Sequence, residues 1–360
     1  MKTDAGKSHL RRVSHWKLYF IILIVALLLV FIISLNISRY HISFDTILKI
    51  LGKQIPILSD MIDTSGIPKF STHETVLLQL TVPRVLCGAL VGVALAVAGV
   101  AYQGIFRNPM ADSYTVGAMG GASLGAAVAI VLGVGVAILG VNSTPIFAFF
   151  GSLGAVFLVY FISKEGSRVP VTTLILNGLT VTIFCNALVA FLKLVAGEKL
   201  RPLTFWIMGG FNYTLWFDVF TLLPFVLFGT VVIFLYARDL NLLVLGEEQA
   251  QHLGVELEKV KKILLITGAL MTAAAVSVAG LIGFVGLIIP HLTRTIVGPD
   301  HRILLPTSAI VSASFMMICD SLARVILGSS ELPVGIITAG VGGPFFIYLL
   351  RSKRRRYTSR

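Results

Sequence analysis

Runs of about twenty apolar residues, separated by short polar breaks, recur along almost the whole chain. Twenty helical residues is the thickness of a bilayer's hydrocarbon core. A window of that length predicts ten spans, near 18–37, 76–105, 113–133, 145–163, 172–196, 215–237, 260–280, 283–298, 303–327 and 334–350. The eighth is short for a full crossing. Segment 38–75 is polar and turn-rich, with Asp60, Asp63, Ser65, Gly66 and Pro68, and is the one long loop on its side. No fixed-period repeat or low-complexity segment stands out. The pattern predicts an all-α, polytopic membrane protein. One transmembrane domain covers 18–350, preceded by a segment 1–17 and followed by a basic tail 351–360.

Composition agrees, with 56% hydrophobic residues, 13% charged and a mean hydropathy of +0.92. Charge then orients the chain. With both ends inside, the segments on the cytoplasmic side hold 20 of the 29 Lys and Arg, including five before residue 18 and six in RSKRRRYTSR. That bias follows the positive-inside rule and favours an even number of spans with both termini cytoplasmic. The net charge of +12 is thus an orientation signal. Nucleic acid is not an expected partner, because the basic residues sit in short juxtamembrane segments and not on one folded face. Leu18–Leu35 reads as a first span and not a cleaved signal peptide, whose apolar core would be shorter.

Candidate chemistry is sparse. The sequence has no GxxxxGK[ST], HExxH or GxSxG, and no metal-spaced His or Cys cluster. Cys87, Cys185 and Cys319 are isolated in apolar runs and read as core residues. A gradient-driven secondary transporter would carry mid-membrane ionisable residues. Here Asp320 is the clearest, and Arg324 follows it at i+4, where a neutralising pair is the simpler reading. A membrane enzyme would need a constellation of acids, bases or metal ligands that is not seen. The energy for any transport is expected from another subunit.

Three interruptions carry the positive signals. In QGIFRNPMADSYTVGAMGGASLG, Pro109 disfavours helix at Asn108, and Arg107 and Asp112 are expected to face headgroups and cytoplasm. Gly117, Gly121 and Gly125 would pack the next helix tightly. This is either a tight hairpin or an inner gate. In GLIGFVGLIIPHLTR, glycines at 280, 283 and 286 open a short helix that Pro290 breaks, with His291 and Arg294 at its cytoplasmic end. A packing kink and a moving element near the gate are the two readings there; His291 as a metal ligand lacks a second donor at helical spacing. The third is Ala237–Lys262, the longest inner polar stretch. Its GEEQAQHLGV spaces Ala250, Leu253 and Val255 as a short amphipathic helix closed by Gly254.

That last pattern resembles the loop by which ABC importer permeases dock into their ATPase. Four further blocks make the resemblance specific: Leu80 to Gly125, WIMGGF from Trp206, GFVGLIIPHLTRTIVGPDHRILLP from Gly283, and CDSLARVILGSSELPVGIITAGVGGPFFIYLL from Cys319. Together they resemble the FecCD-type permeases of iron-siderophore, haem and cobalamin importers, from about residue 76 onward. Met110 and Ser113 depart from the usual Leu and Pro, and residues 38–75 match nothing.

The resemblance implies the rest of the machine: ten helices in the cytoplasmic membrane, a homodimer or a pair with a related permease, two ATPase subunits below and an extracytoplasmic substrate-binding protein above. No cofactor is implied for this chain, ATP being used by the partner. It assigns ATPase coupling to Glu247, Glu248, Ala250, Leu253 and Gly254 within about 238–262. The inner gate or turn falls on Arg107, Asn108, Pro109 and Asp112, and the pathway kink on Gly283, Gly286, Pro290 and His291. Docking of the binding protein falls on Arg84 and Arg324, expected at the outer rim. Iron-siderophore is the substrate that the resemblance favours, with cobalamin or haem as the alternative.

Overall fold

The computed structural model describes the backbone of residues 2–37, 42–59, 63, 67, 69–134, 143–166, 168–327 and 331–358, and the side chains of nearly all of these between 18 and 351. The basic side chains of 1–17 and 352–360 lie outside the described residues, as do Asp60, Ser65, Gly66, Pro68 and residues 328–330. Among the described residues every extended element is helical. In order these are α1 (Lys2–Asn36), α2 (Phe44–Lys53), α3 (Pro56–Ser59), α4 (Phe70–Thr75), α5 (Val82–Ile105), α6 (Ala118–Leu132), α7 (Thr144–Ile162) and α8 (Val171–Val195). There follow α9 (Leu200–Met208), α10 (Trp216–Leu235), α11 (Ala237–Leu243), α12 (Glu247–His252), α13 (Leu257–Ala279), α14 (Val285–Val297), α15 (His301–Val325) and α16 (Val334–Thr358).

Seven apolar stretches are long enough to cross a bilayer, and α6, α14 and the apolar part of α16 are shorter. The α4 helix runs through a π-helical stretch, Val76–Thr81, into α5, making one 36-residue rod from Phe70 to Ile105. This rod and α13 are the most buried of the seven, whereas α1 is nearly bare outside α15. Large apolar side chains such as Phe150, Phe184, Phe191 and Phe228 stay more than half exposed, as expected of a surface solvated by lipid tails.

Lipid is as apolar as leucine, so helices associate here through close packing and not through exclusion of water. Glycine supplies the closeness. A Cβ at Gly121 or Gly125 would overlap the backbone of Gly151 or Phe147 in α7, and one at Gly99 would overlap Gly286 in α14. The hydroxyl of Tyr102, fully buried in α5, donates to Leu265 O of α13 at 3.2 Å.

The structure corrects four expectations. Span three begins at Ala118 and not at 113, because Gly117 has φ +87° and forms the N-cap; only Gly121 and Gly125 of the expected stripe are helical. Segment 38–75 contains α2, α3 and the start of the rod. A short helix, α9, precedes the glycine pair of WIMGGF. Finally, Pro290 lies inside α14 without ending it, and Gly280 and Gly283 belong to an irregular stretch before it.

Candidate coupling site and gate

At the end of α5 the chain reverses through Arg107, whose φ of +47° is the left-handed conformation that most residues avoid. Asn108 holds the reversal. Its Oδ1 accepts from Met110 N at 2.9 Å, while its own N–H donates to Gln103 O at 3.2 Å. Pro109 sits inside this turn, where it needs no donor. Arg107 is exposed as expected, but Asp112 is turned inward. Its carboxylate accepts from Ser113 N at 2.6 Å and Ser113 Oγ at 3.1 Å, and it abuts α14 so closely that a Cβ on Gly286 would come within 2.5 Å of it. Burial pushes the Asp112 carboxyl up to about 6, with the Ser113 hydrogen bonds opposing the shift.

The next inner feature touches this turn. Gly246 (φ +119°) and Gly254 (φ +89°) bracket α12 with backbone conformations open to glycine. Ala250 is fully buried and faces the bundle, and its carbonyl accepts from Val255 N at 3.0 Å. Glu248, Gln251, His252, Leu253 and Gly254 all point away from the protein. Glu247 joins three elements: its carboxylate lies 3.7 Å from Arg107 of the turn and 3.1 Å from Lys261 of α13. Lys261 is buried, and its second partner is Glu258 at 3.4 Å, which also accepts from Val169 N at 3.1 Å. Coupling and gate residues, predicted separately, therefore form one connected corner.

Beside that corner an open cleft of about 900 Å³ runs between α12 and the start of α8, lined by Arg107, Arg168, Thr172, Glu248, Gln251 and Lys259. Val244, Leu245 and Leu253, flanking α12 in sequence, are each more than half exposed. Behind it, Leu240 and Leu243 bury α11 in the core. Asn241 Nδ2 donates to Asp300 Oδ1 at 2.7 Å, and His301 N donates to Asn241 Oδ1 at 2.8 Å, so α11 is fixed to the start of α15. α12 is thus joined to the turn after α5 and to α13 through Glu247, and α11 beside it to the start of α15.

The α14 region explains how Pro290 is tolerated. Proline has no N–H, so Gly286 O, four residues earlier, loses its helical donor. Gln103 Nε2 of α5 takes up that role, lying 3.4 Å from Gly286 O, 3.2 Å from Leu287 O and 3.3 Å from Ala111 O. The irregular stretch 280–284 is likewise secured: Tyr114 Oη donates to Ile282 O at 3.1 Å. Gly210 N donates to Ala279 O at 2.8 Å and Gly335 N to Gly209 O at 3.3 Å, joining the ends of α9, α13 and α16. His291 is half-buried in α14, and among the described residues no three His, Cys, Asp or Glu stand together as a metal site.

Residues 26–352 match the FecCD transport family. The chain belongs to that family. It is 45% identical over 291 residues to the cobalamin import system permease protein BtuC of Halobacterium salinarum, covering 81% of this chain and 77% of the relative. It is 37% identical to the hemin transport system permease protein HmuU of Yersinia pestis, covering 78% and 84%, and 35% identical to the molybdate import system permease protein MolB of Haemophilus influenzae, covering 92% and 95%. A solved structure described as a metal-chelate type ABC transporter in an inward-facing conformation superposes with a TM-score of 0.78 at 31% identity, over 93% of this chain and 99% of that one. The chain is thus a multi-pass cytoplasmic-membrane permease subunit of a type II ABC importer, a family in which the ATPase is a separate subunit.

In this FecCD permease the two residues expected at an exposed outer rim are interior. Arg84 and Arg324 share Asp320: Arg84 Nη2 lies 2.8 Å and Arg324 Nε 3.2 Å from its carboxylate. Arg84 Nη1 reaches Glu331 at 2.9 Å, and Arg324 Nη2 donates to Ser34 O of α1 at 3.1 Å. Two guanidiniums and two carboxylates close on each other, tying α1, α5, α15 and the approach to α16. The i+4 pair of Asp320 and Arg324 was legible in sequence. Glu331 as the fourth member, and Gln103 as the repair for Pro290, were not read. A lone amide in the long apolar run of α5 after Arg84 was the signal for the latter.

Proposed function

We propose that this FecCD permease carries a large metal chelate of the cobalamin, haem or iron-siderophore class, as one half of a dimer with ten crossings per chain and both termini cytoplasmic. The coupling corner carries the reading. An apolar and polar surface of α12, turned away from the protein and from the spans, is joined by Glu247 to the turn and to α13, which suits it to receive an ATPase and pass its motion inward. The positive-inside bias and the seven long and three shorter apolar helices support the topology. Cobalamin is the cargo favoured by the 45% relative, with ferric chelates second through the haem and Fe(3+)-citrate permeases among the relatives. Uptake by the reconstituted transporter, with each chelate loaded on its binding protein, separates them.

Gly254 gives the sharper test of coupling. Within the chain an added Cβ there meets nothing within 4 Å, so Gly254→Ala introduces only the strain of its positive φ. Gly254→Trp adds bulk at an exposed position, where a docked partner would meet it. Uptake should fall further in the tryptophan variant than in the alanine variant while both fold; equal loss in both overturns the proposed docking of α12. At the outer face, an acidic lobe of the binding protein would have to displace Glu331 from Arg84. Of the two acids Glu331 is the more exposed, its side chain at 15% against 1% for Asp320. Docking then strengthens in Glu331→Gln, and unchanged affinity removes Arg84 from that role.

A further inference from the structure

The helix α2, in the segment that reads as a polar, turn-rich loop, divides its surface into three. Successive residues are 100° apart, so side chains four and seven positions on share a stripe. Thr46, Ile47 and Ile50 form the first stripe and are buried against Leu35 of α1 and Leu77, Val82 and Val85 of the rod. Asp45, Lys49 and Lys53 form a polar stripe, with Asp45 and Lys49 paired at 2.7 Å. Phe44, Leu48 and Leu51 form the third. Phe44 is 51% and Leu48 46% exposed, while Leu51 is half-buried and packs in part on the same cluster as Ile47 and Ile50. Among the described residues no apolar cluster covers the face that Phe44 and Leu48 share.

Its level and direction say what does. Counting from Ile105 at 1.5 Å per residue, about 30 Å of hydrocarbon is crossed near Val85, so the Val82-to-Leu77 level on which α2 rests lies within about 12 Å beyond it, among the headgroups. The C-terminal end of α2 lies farther out. Lys53 Nζ sits 4.9 Å above the Phe70 ring, and Gln54 Nε2 donates to Glu74 Oε1 at 3.3 Å, both at the distal end of the rod. Phe44 is at the other end of α2, about 13 Å away along the helix, where Asn36 Nδ2 of α1 donates to Ile42 O at 3.3 Å, so the Phe44 end lies nearer the bilayer. The last turns of α1 beside it expose Leu28, Leu29 and Ile33, each by more than half.

We propose that α2 is an interfacial helix whose exposed Phe44 and Leu48 are covered by phospholipid of the outer leaflet, seating it against the outer half of the rod. The test uses the full-length chain with Cys87, Cys185 and Cys319 replaced, and one environment-sensitive fluorophore attached through a single cysteine at Leu48 or at Lys49. It is reconstituted in phosphatidylcholine–phosphatidylglycerol vesicles with and without brominated acyl chains. Bromolipid should quench the Leu48 probe at least twofold more than the Lys49 probe, and aqueous iodide should show the reverse order. Equal quenching at the two sites, or a Leu48 probe reached by iodide, overturns the proposal. A Leu48 probe reached by neither quencher also overturns it, by assigning the face to a protein partner. A second pair, Phe44 and Asp45, keeps the outcome independent of any one variant's folding.

Discussion

The charge cluster at the start of α5 and the proposed coupling corner at its end are built from the same kinds of side chain in opposite surroundings. At the start of α5, Arg84, Asp320, Arg324 and Glu331 neutralise one another, with side chains between 1% and 15% exposed. At its end Arg107 and Glu247 stand 3.7 Å apart, 45% and 34% exposed, next to an open cleft and two glycines of positive φ. Burial makes the first cluster a clasp, since any charge left without its partner there would be stranded in an apolar interior. Exposure leaves the Arg107–Glu247 pair in solvent, where an ion pair contributes little and is free to re-form.

That contrast can be broken by single substitutions. Asp320→Ala leaves two buried guanidiniums without their shared carboxylate and should cost about 3–5 kcal/mol, read as a large fall in the melting temperature of the purified chain. A near-normal melting temperature would mean that the outer cluster is not closed. Glu247→Gln removes one of two acids from the buried Lys261 and should cost only about 1–2 kcal/mol, while uptake by the assembled transporter falls by more than that loss of stability accounts for. Arg107→Ala, at an exposed pair, should change stability by less than about 1 kcal/mol. If Arg107→Ala destabilises as much as Asp320→Ala, the two regions do not differ in the way described.

Length and hydropathy made the spans readable, since lipid imposes one simple demand on every crossing helix. Their ends were less so: Gly117 reads as one more small residue in a stripe, and only its positive φ removes it from α6. Pro290 read as a break because the sequence does not show that Gln103, 187 positions earlier, stands at the orphaned carbonyl. The α2 pattern was visible in FDTILKILGK, with Ser43 as its N-cap, but was hidden by the turn-forming residues around it. The short helix α12 was legible through its local spacing. The Arg84–Glu331 contact joins residues that only the fold brings together, and so the rim reading of Arg84 and Arg324 placed buried groups in the open.

The claim that α12 offers its outward face to the ATPase is tested most directly by a photo-crosslinking amino acid placed at Leu253 in the assembled transporter, with Ala250 as the inward control. Leu253 is 57% exposed and Ala250 fully buried. Irradiation should join Leu253 to the ATPase subunit and leave Ala250 linked only within the permease. Leu253 linked only to lipid or to its own chain, in a transporter that still hydrolyses ATP and takes up substrate, would contradict the account.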